Sequence, residues 1–241
     1  MKLISLLACM LVLWLTDAGL MPIRLFDSLK DNSLSRISSE ESLPIPGTGR
    51  ISGRVFVAKA TASASRSSRG LYGRGVSRLS KAQVDKRAVV FINKVSGRFS
   101  PPQSRPVMRQ KNVAIVPRVL PVLQGTTVDF PNEDEIFHNI FSLSSTKSFD
   151  LGRYSKGNSK AVTFDKTGTV KVFCDIHSQM SGTVLVLQNP YFTVADEDGR
   201  FDLSGVPPGN YELSAWHEDS GISSKRITVS DGDRQSVDFS F

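Results

Sequence analysis

The stretch TVKVFCDIHSQMSGTVLVL, residues 169–187, places three candidate metal ligands in a short segment between two strand-like runs. These ligands are Cys174, His177 and Met180. A fourth candidate, His138, lies upstream in the strand-like run VDFPNEDEIFHNIFS. Two imidazoles, one thiolate and one weakly bound thioether are the ligand set that proteins use for an electron-transferring copper ion. The sequence therefore predicts one copper ion per chain, which alternates between Cu(I) and Cu(II).

The spacing of the candidate ligands agrees with this prediction. Cys174 ends a strand-like run, so a tight loop after it can return His177 and Met180 to one point in space. His138 belongs to a different run, so two strands would fix the site before a metal ion arrives. A ligand set fixed by strands needs little rearrangement between the two oxidation states, and this favours rapid one-electron exchange.

Length and composition indicate a globular protein. The chain has 241 residues, enough for one large domain or two small ones. Its hydrophobic content of 39% and charged content of 22% are typical of a folded protein rather than a disordered one.

The N-terminus has the pattern of an export signal. Met1 and Lys2 precede an apolar run over residues 3–15, and the small residue Ala18 follows in a position typical of a cleavage site. A membrane span would need about 20 apolar residues, so we interpret residues 1–18 as a signal peptide and expect no membrane-spanning segment. Attachment of a lipid at Cys9 stays open as an alternative. The mature protein is expected in the periplasm or outside the cell.

The expected export of the protein affects how its remaining cysteine is interpreted. Once residues 1–18 are removed, Cys174 is the single thiol of the chain, and a lone thiol is prone to oxidation in an oxidising compartment. An inert buried cysteine is one interpretation. A thiolate bound to a metal ion explains the neighbouring His177 and Met180 better.

The chain is basic, with a formal net charge of +7, and much of the excess lies in the Ser-, Gly- and Arg-rich residues 61–87. Such a segment can contact nucleic acid or anionic lipid. In an exported protein we instead expect a solvated loop or a docking surface for an acidic partner, and no nucleic-acid binding.

Short β-branched and aromatic runs dominate the rest of the chain. Hydrophobic residues do not recur at a regular spacing in residues 19–49, so we interpret this segment as a linker. From residue 51 onward the runs alternate with turn signals such as Asp198-Gly199, and no window of useful length keeps a helical period. The pattern predicts an all-β protein built from sandwiches.

The C-terminal part resembles carboxypeptidase regulatory-like or transthyretin-like modules. The resemblance rests on ADEDGRFDLSGVPPGNYELSAWHE, residues 195–218, with a strand, a Pro-Pro-Gly turn and a second strand. Modules of this kind begin with a G-x-V strand and an A-V-V strand, which here lie upstream, at residues 53–55 and 88–90. The resemblance therefore implies one sandwich formed by residues 50–97 and 188–241, with the metal domain inserted. Two sandwiches in simple succession remain an alternative.

Two segments around the ligands resemble cupredoxins, the small blue-copper sandwiches. GTTVDFPNEDEIFHNIFS is similar to the cupredoxin strand that leads to a His-Asn pair, and GTVKVFCDIHSQMSGTVLV is similar to its C-x-x-H-x-x-M-x-G strand and loop. The resemblance implies a Greek-key sandwich over residues 107–187. Its copper ligands would be His138, Cys174, His177 and Met180. It also implies that Asn139 steadies the ligand loops.

Other chemistries fit the same residues less well. Zinc favours more thiolates or a carboxylate, and a nucleophilic cysteine needs a third, orienting group and an oxyanion pocket. His217 and Met108 are expected to be structural, and the acidic run Glu133–Glu135 is expected to be a solvated loop.

These observations predict an exported copper protein that carries single electrons through the edge of His177. Copper oxidases and reductases need further histidine-rich centres, and three histidines in the chain are too few, so no enzymatic activity is expected. The expected partners are redox proteins such as a cytochrome or a copper or quinone enzyme. The alternative function is copper binding and delivery, or recognition of a polymer or receptor.

Overall fold

The computed structural model describes residues 47–57 and 87–241, and within them the chain is entirely β. The predicted all-β sandwich class is confirmed, because these residues form 17 strands and no helix. No helix of the described part is long and apolar enough to span a membrane. The predicted signal peptide, residues 19–46 of the predicted linker and residues 61–86 of the basic segment lie outside the described residues.

The strands in chain order are β1 (Gly49–Phe56), β2 (Val89–Ile92), β3 (Arg109–Gln110), β4 (Ile115–Val116), β5 (Val119–Leu123), β6 (Thr126–Pro131), β7 (His138–Ser144), β8 (Lys147–Tyr154), β9 (Ser159–Phe164), β10 (Gly168–Cys174), β11 (Ser181–Leu187), β12 (Phe192–Val194), β13 (Arg200–Val206), β14 (Gly209–His217), β15 (Gly221–Val229), β16 (Arg234–Ser236) and β17 (Phe239–Ser240).

One sandwich combines strands from both ends of the described sequence. Strand β1 pairs with β13, β16 and β17, while β2 lies between β12 and β14, and β14 pairs with β15. The two sheets enclose a hydrophobic core that includes Ile51, Val90, Phe201, Leu213 and Phe239. The early strands β1 and β2 thus pair directly with strands that follow residue 190. The boundaries 50–97, 188–241 and 107–187 themselves stay predictions.

The second sandwich lies between these segments in sequence. It contains all four candidate metal ligands and is called the metal sandwich below. Its main sheet has the order β5-β11-β10-β7-β8, and β6 pairs with β9 in a separate two-stranded sheet. The side chains of β10 alternate between buried and more exposed positions, as expected of a half-buried strand, and Val170, Val172 and Cys174 lie in the core. This period of two directs the Cys174 sulfur inward at the end of the strand.

The two sandwiches share a small hydrophobic interface. Strand β11 is buried on both faces: Val184 and Val186 belong to the core of the second sandwich, while Leu185 and Leu187 cluster with Val89. Burial on both faces explains why β11 is a nearly continuous apolar run instead of an alternating one.

A charged residue reinforces this interface. The Glu218 carboxylate, which follows β14, accepts hydrogen bonds from Lys171 Nζ at 2.6 Å, Thr183 Oγ1 at 2.7 Å and Arg118 Nε at 2.7 Å. Burial acts to raise the pKa of Glu218, but these three donors outweigh it and lower the pKa from 4.5 to about 2. Glu218 therefore joins the C-terminal strands to the strands of the metal sandwich.

Candidate metal centre

A tight loop between β10 and β11 brings Cys174, His177 and Met180 together. The Cys174 N–H donates to the Met180 carbonyl at 3.1 Å, and the Met180 N–H donates to the His177 carbonyl at 3.0 Å. The loop is also tied to β7, because the Asp175 N–H donates to the Asn139 carbonyl at 3.0 Å. Six residues thus return the chain to the end of the strand from which it left.

His138 reaches the same place from the neighbouring strand. It is the first residue of β7, and β7 pairs with β10 through Cys174 and Ile140. The side chain of His138 is fully buried, and its ring lies 4.9 Å from the ring of His177, centroid to centroid.

The ligand atoms of three residues converge. The distance from Cys174 Sγ is 3.7 Å to His138 Nδ1 and 3.9 Å to His177 Nδ1, and the two Nδ1 atoms lie 3.2 Å apart. Ligand atoms bound about 2.0–2.3 Å from one ion, at angles of about 105–120°, lie roughly 3.2–4.0 Å from one another. The three atoms therefore fit one shared metal ion. In the described part of the chain, no other cluster of His, Cys, Asp or Glu meets this criterion.

Met180 and the cysteine are both shielded from solvent. Met180 is 1% exposed and Cys174 is 4% exposed, and both belong to the hydrophobic core of this sandwich. Both side chains are thus largely shielded from water, which would otherwise compete with a weak ligand such as a thioether.

The imidazole of His177 is the partly exposed member of the cluster. It lines an open depression together with Ile136, Phe137, Arg153 and Ile176. Phe137 is 58% exposed, and Ile136 and Ile176 are also exposed. Three apolar side chains and Arg153 therefore surround the place where the cluster meets solvent.

The acidic run before β7 is solvated at Glu135, whose side chain is 81% exposed, but the expectation of a solvated loop was wrong for Asp134. Glu133 forms salt bridges with Arg109 and Lys111. The Asp134 side chain is 12% exposed, and its carboxylate lies 2.9 Å from His138 Nε2. Asp134 is therefore part of the site's support, and only its position four residues before His138 could have signalled this role.

The pKa of Asp134 reflects these contacts. Burial acts to raise the pKa of the carboxyl group, but hydrogen bonds from the Val113 N–H, from His138 and from the Asn112 N–H lower it below its ordinary value. The carboxylate form is therefore favoured next to His138.

Asn139 supports the ligand loop through its backbone. Its carbonyl accepts the Asp175 N–H, while its buried side-chain oxygen has no hydrogen-bond partner among the described residues. A role of the Asn139 side chain in steadying the loops stays a prediction.

Tyr154 is a neighbour of the site that the sequence did not reveal. It pairs with His138 across β7 and β8, and its hydroxyl donates to the Phe130 carbonyl at 2.9 Å. Burial is the main cause that raises the pKa of Tyr154 to about 12. The phenol is therefore neutral beside the cluster. No local sequence motif identifies such a residue.

The remaining histidine lies in the other sandwich. His217 ends β14 with 2% of its surface exposed, and the Asp219 N–H donates to its Nδ1 atom at 3.3 Å. Met108 is fully buried in the core of the metal sandwich. Both observations agree with the structural roles expected of these two residues.

The comparison with family models gives one match. Residues 167–237 match the model described as polysaccharide lyase family 4, domain II, which covers less than half of the chain. The matched range begins at β10 and ends after β16, so it includes strands of both sandwiches. The family that matches is not the carboxypeptidase regulatory-like family that the C-terminal motifs indicate. A search of curated protein sequences finds no match.

The comparison with solved structures returns copper proteins. A Cu(I) amicyanin variant is 22% identical, with 34% of this chain and 81% of that chain covered and a TM-score of 0.33. A copper-containing nitrite reductase from Thermus scotoductus is 23% identical, with 40% of this chain and 25% of that chain covered and a TM-score of 0.35. A purple cupredoxin from Nitrosopumilus maritimus is 25% identical, with 34% of this chain and 98% of that chain covered and a TM-score of 0.31. Over roughly a third of its length, this chain is similar to these proteins.

Proposed function

We propose that this protein is exported and that its metal sandwich binds one copper ion to carry single electrons between redox partners. The observation that carries the proposal is the convergence of His138 Nδ1, Cys174 Sγ and His177 Nδ1 within 4.8 Å, inside a β-sandwich. Copper suits this donor set better than zinc does, because two imidazoles, one thiolate and a thioether match the preference of copper for soft and borderline ligands.

The strand pairing and hydrogen bonds that hold the candidate ligands favour a rigid site. His138 and Cys174 lie on paired strands, and backbone hydrogen bonds close the loop that presents His177 and Met180. When bound, copper supplies a one-electron redox couple between Cu(I) and Cu(II). The chain supplies fixed donor atoms, a dry environment around the sulfur and one partly exposed imidazole.

We propose that electrons enter and leave through His177. Its imidazole is the member of the cluster that lines the open depression, where three apolar side chains and Arg153 surround it. The apolar side chains allow a partner protein to approach closely and to exclude water from the contact. A cytochrome or a copper or quinone enzyme is the kind of partner that such a carrier would serve.

We propose no catalysis of its own for this chain. The sequence has three histidines, and His138 and His177 belong to the proposed copper site. His217 lies in the other sandwich and belongs to no cluster of candidate ligands among the described residues, so it offers no second centre.

Voltammetry and copper transfer together test the electron-carrier function. The copper-loaded protein should cycle reversibly between Cu(I) and Cu(II), and should exchange electrons with a cytochrome faster than it releases Cu(I) to a chelating acceptor. A protein that gives up Cu(I) rapidly and cycles irreversibly would be a delivery protein, and the electron-carrier proposal would be wrong.

Replacing Met180 with leucine should change the potential while the colour of the copper protein stays. Leucine matches methionine in volume but offers no sulfur, so the weak axial interaction is lost while both imidazoles and the thiolate remain. Loss of this electron-donating ligand favours Cu(I), so the reduction potential should rise. The measurement is the midpoint potential of wild type and Met180→Leu. Equal potentials would show that the Met180 sulfur does not act on the metal.

A further inference from the structure

We propose that Asp134 is the positioning residue of His138, and that the turn at Asn112 and Val113 exists to hold its carboxylate in place. The proposal concerns which nitrogen of His138 carries the proton before any metal binds. Its consequence for copper affinity rests on the proposed function.

The Asp134 carboxylate joins two chain segments, the turn at Asn112 and Val113 and the start of β7. Its Oδ1 atom accepts the Asn112 N–H at 2.6 Å, and its Oδ2 atom accepts the Val113 N–H at 2.9 Å. The same Oδ2 atom lies 2.9 Å from His138 Nε2. The backbone of Asp134 is fixed as well, because its N–H donates to the Oδ1 atom of buried Asn132 at 2.9 Å.

These contacts select one tautomer of His138. An ionised carboxylate can only accept hydrogen bonds, so the Nε2 atom that faces Asp134 must carry the proton. In a neutral imidazole the other nitrogen, Nδ1, is then unprotonated, with its lone pair free for a metal. That Nδ1 atom lies 3.7 Å from Cys174 Sγ. The carboxylate thus prepares the nitrogen on the opposite side of the ring.

The backbone at the other end of the carboxylate is strained in a manner that suits this role. Asn112 and Val113 have φ values of 54° and 55°. The left-handed region is uncommon for residues with a side chain, although asparagine adopts it more readily than most, and it is an outlier for a β-branched residue such as Val113. The conformation directs two successive N–H groups towards one point, as in the anion-binding nests of other proteins. Here that point is the Asp134 carboxylate.

The neighbouring acids do not share these contacts, so they supply a matched control. Glu133 pairs with Arg109 and Lys111, and the exposed Glu135 pairs with Lys156. Among the described residues, neither glutamate forms a hydrogen bond or an ion pair with His138. Glu135→Gln therefore removes one negative charge from the same run without touching the imidazole.

Nitrogen NMR on the metal-free protein tests the proposal. In wild type, the ¹⁵N shifts and couplings of His138 should show the tautomer protonated at Nε2 at about pH 8, where a free imidazole is neutral. Asp134→Ala should give a mixture of tautomers, and Glu135→Gln should match wild type. A wild-type His138 protonated at Nδ1 would overturn the proposal, and this result does not depend on whether Asp134→Ala folds. An unchanged tautomer in folded Asp134→Ala would overturn it too.

Copper affinity gives the second readout. Loss of a group that orients a ligating histidine typically weakens metal binding about 10–100-fold. A competition titration with a copper chelator should show that loss for Asp134→Ala and not for Glu135→Gln. Equal affinities would contradict a positioning role towards copper. If wild type shows the expected tautomer but binds no copper, the proposed function fails while the tautomer assignment stands.

Discussion

Replacing Cys174 with serine should abolish the intense visible absorption that we expect from the copper-loaded protein. That absorption arises from charge transfer between thiolate sulfur and Cu(II), and a serine hydroxyl provides neither the charge nor the soft donor. The two residues have nearly the same shape, and Cys174 is 4% exposed inside the core, so the variant should fold with a modest loss of stability. The measurement is the visible spectrum during a titration with Cu(II).

The loop itself offers a control for this experiment. Gln179 is exposed between the same two strands, and Gln179→Ala should keep the full absorption. A Cys174→Ser protein that kept the band would show that the thiolate does not bind the metal. A wild-type protein that stayed colourless while binding zinc in a one-to-one ratio would count against copper altogether.

Replacing Glu218 with alanine should destabilise the protein by about 1–3 kcal/mol, because donors at the interface of the two sandwiches lose their acceptor. Thr183 is fully buried and Lys171 is half-buried, so water cannot fully replace the carboxylate. Chemical denaturation gives the free energy of unfolding. The exposed Glu197 supplies the control, since Glu197→Ala should change this free energy by less than about 0.5 kcal/mol.

The lowered pKa of Glu218 also predicts that the stability of the protein depends on pH. The pKa of Glu218 is lowered from 4.5 to about 2 in the folded state, so its contribution is complete above about pH 4.5. That contribution is lost progressively as the pH falls from 4.5 towards 2. Glu218→Gln cannot titrate, so its unfolding free energy should fall less than that of wild type over this range. Parallel curves for the two proteins would contradict the account.

The strands and the cluster could be predicted because their signals are local. The alternation of Val170, Val172 and Cys174 indicates a half-buried strand and fixes the side on which the sulfur lies. The spacing of Cys174, His177 and Met180 fits a tight loop, and the structure brings His138 to the same point. Each of these signals needs only a few neighbouring residues.

The supports of the site could not be predicted because they depend on contacts between distant segments. Asp134 looks like part of a charged loop until the backbone at Asn112 and Val113 is placed against it. Glu218 looks like a surface acid until the fold brings it to Thr183, 35 residues away in sequence. Composition and periodicity describe local structure, and they carry no information about which distant donors meet a carboxylate.

The most direct test of the central claim is X-ray absorption at the copper edge of the loaded protein. We expect an inner shell of two nitrogen donors and one sulfur donor, from His138, His177 and Cys174. In Cys174→Ser the sulfur should be missing from that shell. An inner shell made only of oxygen and nitrogen in wild type would contradict the account, because the convergence of the thiolate with two imidazoles would then not be the copper site.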